Sequence, residues 1–191
     1  TGYASHNSTR HRIDVTAITR RSDAIWQDIV SGLSAEHNGA LRIPQEARIF
    51  RALKAQHPTV RAVSYPLSGA CRFHCYISMR PNTQGQAKNA IFHALAEDLS
   101  LKLVVVVDDD IDVYDEQEVW WAVATRMQAD RDLVLTNAAA GAMLDPSSDE
   151  GLTAKMGIDA TRPLAGWKAE RSTLPPEALA AAKRRIAAFK A

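Results

Sequence analysis

The chain has 191 residues, a formal net charge of +1 and two cysteines, which fits one globular domain with additions. Apolar residues make up 46% and charged residues 24%, a composition that excludes a collagenous, coiled-coil or disordered chain. The balanced charge argues against a dedicated nucleic-acid binder, and two cysteines imply no disulfide framework. No apolar run approaches the roughly 20 residues of a membrane span. From the missing initiator Met and signal peptide we expect a piece of a longer protein.

The N-terminal region contains one strand-like and one helix-like pattern. Residues 13–19 alternate in polarity and are rich in β-branched side chains, which predicts a strand. Ser22 is a suitable N-cap for a helix over residues 22–31, and Gly32 is a suitable stop.

A helix and two strands are predicted next. Pro44 fits the first position of a helix, and the proline of His57-Pro58 ends it. Strand candidates over residues 59–65 and 73–79 follow.

The centre of the chain contains the most apolar segment. Thr83 and Gln86 form a capping-box pattern that predicts a helix. Residues 101–107 are an almost continuous apolar run, which is typical of a strand buried on both faces of a parallel sheet. A further helix is expected to begin after Asp115 and to end near Met127.

The alternation of strands and helices predicts an α/β fold, a three-layer α/β/α sandwich with a mostly parallel sheet. Its core is expected over residues 13–136, ending in a strand over 132–136. Residues 137–191 are expected to form an extended, loop-rich C-terminal segment, unpatterned to about Pro176, and a terminal helix over 177–190. Each predicted helix has one apolar face. The residues on these faces are, in chain order, Ile25, Ile29 and Val30; Ile49, Phe50 and Leu53; Ala87, Ile91, Ala94, Leu95 and Leu99; and, in the terminal helix, Leu179, Ala182, Ile186 and Phe189.

An acidic cluster follows the apolar run directly and comprises Asp108, Asp109, Asp110 and Asp112. In open α/β sheets, ligands collect beyond the carboxyl ends of the strands, and carboxylate oxygens suit hard cations. One interpretation is therefore a divalent-cation or polar-substrate site. The other is structural: the aspartates cap the following turn and helix, and they pair with nearby arginines.

The segment Cys71-Arg72-Phe73-His74-Cys75 offers three zinc-type ligands, but no second ligand cluster at finger-like spacing accompanies it. On a strand, both cysteines share one face with the phenylalanine, which favours small core residues over a metal site.

Two further residues have an open interpretation. His37 lies in a predicted loop, where it is either a solvated turn residue or a site residue. Lys155, close to Gly157, is either a surface lysine or a point charge for a phosphate. The sequence contains no GxGxxG, Walker, GxSxG or HExxH motif.

Several stretches of the chain form a combination that identifies a family. They are Val107-Asp108-Asp109-Asp110-Ile111-Asp112-Val113, Val119-Trp120-Trp121-Ala122-Val123-Ala124-Thr125-Arg126, Asp130-Arg131-Asp132, Leu144-Asp145-Pro146-Ser147 and Ala154-Lys155-Met156-Gly157-Ile158-Asp159-Ala160-Thr161. Together they resemble the C-terminal domain of the UbiD family of decarboxylases. Upstream, Ile18-Thr19-Arg20-Arg21 and Ile25-Trp26-Gln27 resemble the family's Thr-His-Arg stretch, with Arg20 in place of His.

The resemblance implies a reversible, non-oxidative decarboxylase of aromatic or α,β-unsaturated carboxylic acids. Its implied cofactor is prenylated FMN, with manganese and potassium, held mainly by an N-terminal domain that also carries the catalytic Glu-Arg-Glu residues. Thr1-Gly2-Tyr3 matches the residues that follow the last of these glutamates. We therefore expect residues 1–12 to lead in from that domain. We also expect no catalytic residue and no metal ligand in this chain, and no activity of the chain alone.

The resemblance also implies roles for single residues and for the whole domain. Lys155 matches a lysine near the cofactor phosphate, and His37 matches a position that faces the substrate. The domain would close over the cofactor and supply one wall of the substrate pocket. The helix over 177–190 would pack on another subunit of a homo-oligomer.

The expected partners are the cofactor-binding domain and a small carboxylic acid, with no nucleic acid and no membrane span, and the expected location is the cytoplasm. Two alternatives remain, because a fold does not fix a function. One is a stand-alone, non-catalytic α/β binding or scaffold module. The other is a small enzyme that uses the aspartate cluster with a metal.

Overall fold

A computed structural model describes residues 3, 12–30, 32, 34–173 and 175–189 of the chain. A short 3₁₀ turn, Leu67–Gly69, joins the first two strands. The other elements, in chain order, are α1 Ala35–Gln56, β1 Val60–Ser64, β2 His74–Met79, α2 Gln86–Glu97, β3 Leu103–Asp108, α3 Glu116–Arg126, α4 Ala129–Asp132, β4 Leu133–Ala140, β5 Leu152–Ala160 and α5 Pro176–Phe189.

The five strands form one mixed sheet in the order β1-β2-β3-β5-β4. The three central strands β2, β3 and β5 are parallel, whereas β1 and β4 are antiparallel edge strands. The predicted α/β class is confirmed. The sheet is mostly but not wholly parallel.

Helices cover both faces of the sheet, as a three-layer sandwich requires. On one face, α1 and α2 pack over Ile77, Val104 and Val106. On the other face, α3 packs over Val105 and Val107. Side chains on alternate positions of β3 therefore enter opposite cores, and all six β3 residues are buried. The predicted two-sided strand is confirmed.

The strand predicted over residues 13–19 and the helix predicted over 22–31 are wrong. Residues 12–30 form neither a strand nor a helix apart from a turn at 22–23, and their side chains are exposed. Ile25 is 95% exposed and Trp26 is 88% exposed. A short amphipathic pattern forms a helix only when its apolar face packs against something, and no other described residue covers these side chains.

Helix α1 begins at Ala35 instead of Pro44, which lies inside the helix. Ser34 is its N-cap, and the Ser34 hydroxyl accepts a hydrogen bond from the His37 backbone N–H at 3.3 Å. His37 is therefore in the first turn of a helix and not in a loop. The predicted end at His57 and the burial of Ile49 and Leu53 are confirmed.

The capping predictions for the next two helices have opposite outcomes. Asp115 caps α3 as predicted, because its side chain accepts a hydrogen bond from the Gln117 backbone N–H at 2.9 Å. For α2 the N-cap is Gly85, with φ +84°, and no side chain caps the helix. The Gln86 side chain instead accepts a bond from the Asn82 backbone N–H, so the capping box predicted from Thr83 is not formed.

Strand β5 lies within the segment that was expected to be unpatterned, and it is a central strand of the sheet. Its residues alternate in burial environment: Lys155, Gly157 and Asp159 lie on the side of α2, and Ile158 enters the core under α3. Lys155 and Asp159 are buried although they are charged. Because polar side chains occupy these interior positions, the sequence lacks the apolar pattern that would predict a strand here.

The C-terminal segment is held to the sheet by a group of ion pairs that we call the carboxyl-edge cluster, formed by Asp108, Asp110, Arg126 and Arg162. The Arg126 guanidinium, 2% exposed, donates to Asp108 at 2.6 Å and to both oxygens of Asp110 at 2.9 Å. Arg162, which follows β5, donates its backbone N–H to Asp108 at 2.9 Å and its Nε at 3.2 Å.

A second contact of the same kind lies beside this cluster. Arg171 donates to Glu118 of α3 at 2.6 Å. The guanidinium carbons of Arg171 and Arg126 lie 4.8 and 5.3 Å from the ring centre of Trp121. Of the two interpretations of the aspartates, pairing with arginines is the arrangement that the structure has. Terminal helix α5 is present as predicted, and none of its described residues is buried.

Gly157 permits the close approach of α2 to the sheet, because a Cβ at this position would lie 2.2 Å from Cγ2 of Ile91. We expect Gly157→Ala to lower the free energy of unfolding by about 1–3 kcal/mol through overpacking, measured by urea denaturation. Gly39→Ala is the control: it is helical, nothing lies within 4 Å of its Cβ position, and the change should stabilise by about 0.5–1 kcal/mol. Equal stability of the two variants would contradict the packing argument.

Arg126→Met should destabilise the chain by about 3–5 kcal/mol, because it leaves the buried Asp108 carboxylate without its main cation. The control is Arg51→Met on the exposed side of α1, for which a change within about 0.5 kcal/mol is expected. The measurement is the denaturation midpoint of each variant. A midpoint of Arg126→Met at the wild-type value would show that the carboxyl-edge cluster does not stabilise the fold.

The same pairing gives a pH dependence. The Arg126 guanidinium holds the pKa of Asp110 below its ordinary value of 3.8. The unfolded chain therefore takes up this proton first as the pH falls. The stabilisation is present at neutral pH and is lost below about pH 4. In Arg126→Met, the free energy of unfolding should fall less steeply between about pH 5 and 3 than in the wild type.

Candidate functional site

A cavity of about 210 Å³ opens at the amino edge of the parallel strands. Helix α1 leads into β1, which runs antiparallel to β2, so the first turn of α1 lies at the edge where β2 begins. The segment 70–73, immediately before β2, forms the facing wall. The lining residues are His37, Asn38, Leu41, Gln45, Ala70, Cys71, Arg72, Phe73 and Leu144.

The facing wall has an unusual backbone. Ala70 and Cys71 are consecutive left-handed residues, with φ of 54° and 51°, a conformation that costs each non-glycine residue roughly 1–2 kcal/mol. Gly69 precedes them, and a Cβ there would lie 2.4 Å from Cβ of His74. Strained backbone of this kind is found preferentially at functional sites. Here it turns the chain so that Arg72 lies on the cavity wall.

Two groups with donor capacity on the lining are weakly engaged. The Nδ1 atom of His37 is buried and has no hydrogen-bond partner among the described residues. The Arg72 guanidinium makes a long hydrogen bond, from Nε to the Ser100 hydroxyl at 3.5 Å. The amide groups on the lining are occupied instead: Asn38 donates to the Gly32 carbonyl at 2.9 Å, and Gln45 donates to Asp98.

A polar network backs the cavity on the side of α2. Asp98 is 6% exposed and accepts from Gln45, from the Tyr65 hydroxyl at 2.9 Å and from the Ser100 backbone N–H at 2.9 Å. Burial raises the pKa of the Tyr65 phenol, so the hydroxyl stays a donor to this carboxylate. The network holds Gln45 and the turn after α2 in place beneath the cavity.

Lys155 lies at the same edge, under the last turn of α2, and is not among the residues that line the cavity. Its Nζ donates to the carbonyls of Leu99 at 3.0 Å and Leu95 at 3.5 Å, which caps the carboxyl end of the helix. Burial lowers the pKa of Lys155, and the nearby Asp98 carboxylate opposes that shift. The two residues predicted for the site, His37 and Lys155, thus share one edge of the sheet.

The other candidates lie elsewhere. Cys75 is fully buried in the core, and burial raises the pKa of its thiol well above the ordinary value. Cys71 lies in the turn before β2 instead of on the strand. Across the described residues, no group of three or more His, Cys, Asp and Glu side chains is arranged to hold a metal ion. The aspartate cluster follows β3, whose length puts it about 17 Å from the amino edge.

Sequence reasoning did not place Arg72 at the cavity. On a strand over residues 71–75, Arg72 is expected on the face opposite the two cysteines, together with His74. The strand starts at His74, and the left-handed pair before it turns Arg72 into the cavity. The turn-like stretch Pro66-Leu67-Ser68-Gly69 was the signal that the chain reverses before this strand.

The described part of the chain contains no helix that is both long and apolar enough to cross a membrane. The sequence profile of the 3-octaprenyl-4-hydroxybenzoate carboxy-lyase C-terminal domain, UbiD_C, matches residues 40–160. This range holds most of the cavity lining and all five strands.

Curated relatives agree with the profile. The anhydromevalonate phosphate decarboxylase of Aeropyrum pernix is 47% identical over 147 residues, covering 76% of this chain and 34% of the relative. The gallate decarboxylase of Lactiplantibacillus plantarum is 32% identical over 165 residues, covering 79% and 34%. The chain spans about a third of the length of these relatives.

Solved structures show the same relationship. The UbiD-class enzyme HmfF from Pelotomaculum thermopropionicum, in complex with FMN, matches with a TM-score of 0.73 at 44% identity, covering 75% of this chain and 33% of that one. An evolved dimeric form of HmfF in complex with prFMN matches with a TM-score of 0.64 at 37% identity, covering 75% and 30%. The resemblance seen in the sequence motifs is thereby confirmed, and the chain belongs to the UbiD family of carboxy-lyases, whose C-terminal domain it represents.

Proposed function

We propose that this chain closes the substrate pocket of a prenylated-FMN-dependent decarboxylase and that the amino-edge cavity is its share of that pocket. The observation that carries the proposal is the meeting of two weakly engaged donors, His37 and Arg72, with apolar side chains on one strained, concave edge. Sites of this composition bind small molecules that have an apolar body and a polar end. An acid that loses carbon dioxide has that character.

The cofactor would lie beside the cavity and not inside it. A volume of about 210 Å³ is below the roughly 300–1,000 Å³ of ordinary small-molecule sites, so the cavity takes a substrate fragment and not a flavin. Prenylated FMN supplies the electron sink for decarboxylation when it is bound. The N-terminal cofactor domain, together with manganese and potassium, is expected to hold it against this edge.

The residues of this chain would bind and orient the acid and exclude water. His37 would donate a hydrogen bond to an anionic group, and Leu41, Phe73 and Leu144, which line the same cavity, would exclude water from it once the pocket is closed. Closing a pocket strengthens such polar contacts, because it removes competing solvent. Lys155, by capping α2, holds the turn at Leu99 that faces the same edge.

The relatives narrow the substrate class. Five of the curated relatives, between 39% and 47% identical, are anhydromevalonate phosphate decarboxylases, and the gallate decarboxylase is 32% identical. We therefore favour a small α,β-unsaturated acid that carries a phosphate ester over an aromatic acid.

Further proposals concern the assembly. The exposed helix α5, with Leu179 and Ile186 uncovered, is proposed to pack on another subunit of a homo-oligomer, and the enzyme is proposed to be cytoplasmic. The alternative function is a stand-alone binding or scaffold module on the same fold. The reading frame upstream of Thr1 separates the two, because only the decarboxylase requires a cofactor domain there.

His37→Ala in the full-length holoenzyme should lower kcat/KM about 10–100-fold, the value of a hydrogen bond to a charged group, with flavin content unchanged. The control is Glu36→Gln, which alters an exposed neighbour in the same helical turn. Kinetics of His37→Ala that equal the wild type across a panel of unsaturated and aromatic acids would remove His37 from the pocket.

Lys155→Met should reduce the flavin content of the purified full-length enzyme, because the turn at Leu99 loses its anchor. Flavin absorbance per protein is the measurement, and the melting temperature is recorded in parallel. Flavin occupancy equal to that of the wild type would contradict a role of Lys155 at the cofactor.

A further inference from the structure

The charged side chains around the amino edge are largely paired within the domain. Lys102 pairs with Asp145 at 2.7 Å, and Arg48 pairs with Glu97 at 2.6 Å. Arg42 lies 3.9 Å from Glu46, as a weaker pair. Each of these cations has a carboxylate of its own, so it is poorly available to an external anion.

Arg72 differs from these cations. No carboxylate of the described residues lies within ion-pair distance of it, and its guanidinium makes one long hydrogen bond, the 3.5 Å contact with the Ser100 hydroxyl. Arg72 is exposed and is one of the residues that line the cavity, and two strained residues precede it. A strained backbone that holds an unpaired cation beside a cavity indicates a binding site for an anionic ligand.

The form of the side chain limits which anion is bound. A guanidinium presents a planar fork of donors that matches a phosphate or carboxylate bidentately. His37 lies on the opposite wall, in α1, and the apolar lining completes the cavity. Two donors on two walls suit a ligand with two anionic ends, which is the character of a phosphorylated carboxylic acid.

We infer that Arg72 is the specificity-determining residue of this pocket and that it binds the phosphate ester of the substrate, while the carboxylate lies nearer His37. The inference rests on the proposed function, since it names the chemistry of that same pocket. It assigns to this chain the selection of phosphorylated over unphosphorylated acids.

The test uses the full-length holoenzyme with two substrates: a phosphorylated unsaturated acid and the same acid with a free hydroxyl group. Arg72→Gln should lower kcat/KM for the phosphorylated acid about 100-fold, the value of charge-assisted hydrogen bonds. It should leave kcat/KM for the free hydroxy acid within about threefold. Arg72→Lys should recover only part of the loss, because an ammonium lacks the planar fork. Arg51→Gln is the matched control, an exposed arginine of α1.

A second readout does not depend on turnover. Calorimetric titration of the holoenzyme with the saturated analogue of the phosphorylated acid, which lacks the double bond needed for decarboxylation, should give a weaker affinity for Arg72→Gln than for the wild type and for Arg51→Gln.

A third readout uses turnover of the smaller substrate. Inorganic phosphite should raise kcat/KM of the wild type with the free hydroxy acid, because it occupies the vacated phosphate position, and it should have no such effect on Arg72→Gln.

Three results would overturn the inference: unchanged kinetics of Arg72→Gln with the phosphorylated acid, an equal loss with both acids, or a loss of flavin that accounts for the whole effect. In each case the proposed function still stands if the wild-type enzyme decarboxylates either acid. A flavin-loaded wild type that decarboxylates no acid of the panel contradicts the proposed function instead, and the titration then still decides whether Arg72 binds the phosphate.

Discussion

The burial of β3 on both faces is the constraint on which the other elements depend. Its four consecutive valines, Val104–Val107, alternate between two cores, so helices must cover the sheet on both sides. A strand of this kind has no solvated face, and polar chemistry is confined to its two ends. At the carboxyl end, Asp108 and Asp110 form ion pairs with Arg126 and Arg162. At the amino end, most charged groups are also paired, but His37 and Arg72 are weakly engaged beside a cavity.

The two ends therefore serve different purposes. Asp108 and Asp110 neutralise Arg126 and Arg162, which ties α3 and the segment after β5 to the sheet. Such a closed set of charges stabilises one arrangement of the chain and leaves little for a ligand. His37 and Arg72 show the opposite condition at the amino edge, where the domain holds donors without matched acceptors. A position for the site at the amino edge departs from the usual preference of open α/β sheets for their carboxyl edge.

Much of the fold was readable from the sequence, because β3, α2 and α3 carry strong local signals and are also stabilised by tertiary packing. Strand β5 was missed because charged residues occupy its buried positions. Lys155 is buried against the carbonyls of Leu95 and Leu99, which are distant in the sequence, and Asp159 is buried with Thr161 as its hydrogen-bond partner. The strand and helix predicted within residues 13–30 were wrong for the reverse reason: their local pattern is good, yet no other described residue packs on it. Motif resemblance singled out His37 and Lys155, and the structure brings both to the amino edge. The position of Arg72 could be found only from the backbone structure, because it depends on two left-handed residues that the amino-acid composition does not indicate.

The exposed apolar side chains of residues 12–30 affect the stability of the isolated domain. Ile25, Trp26 and Val30 present large hydrocarbon surfaces to water, at a cost of roughly 25 cal/mol for each Å². A partner surface that covers these side chains adds a favourable free energy that neither the domain nor the partner has alone. The stability measured on this chain by itself is therefore a lower bound on its stability within an assembled enzyme. Variants that look damaging in isolation will be partly compensated when that surface is covered.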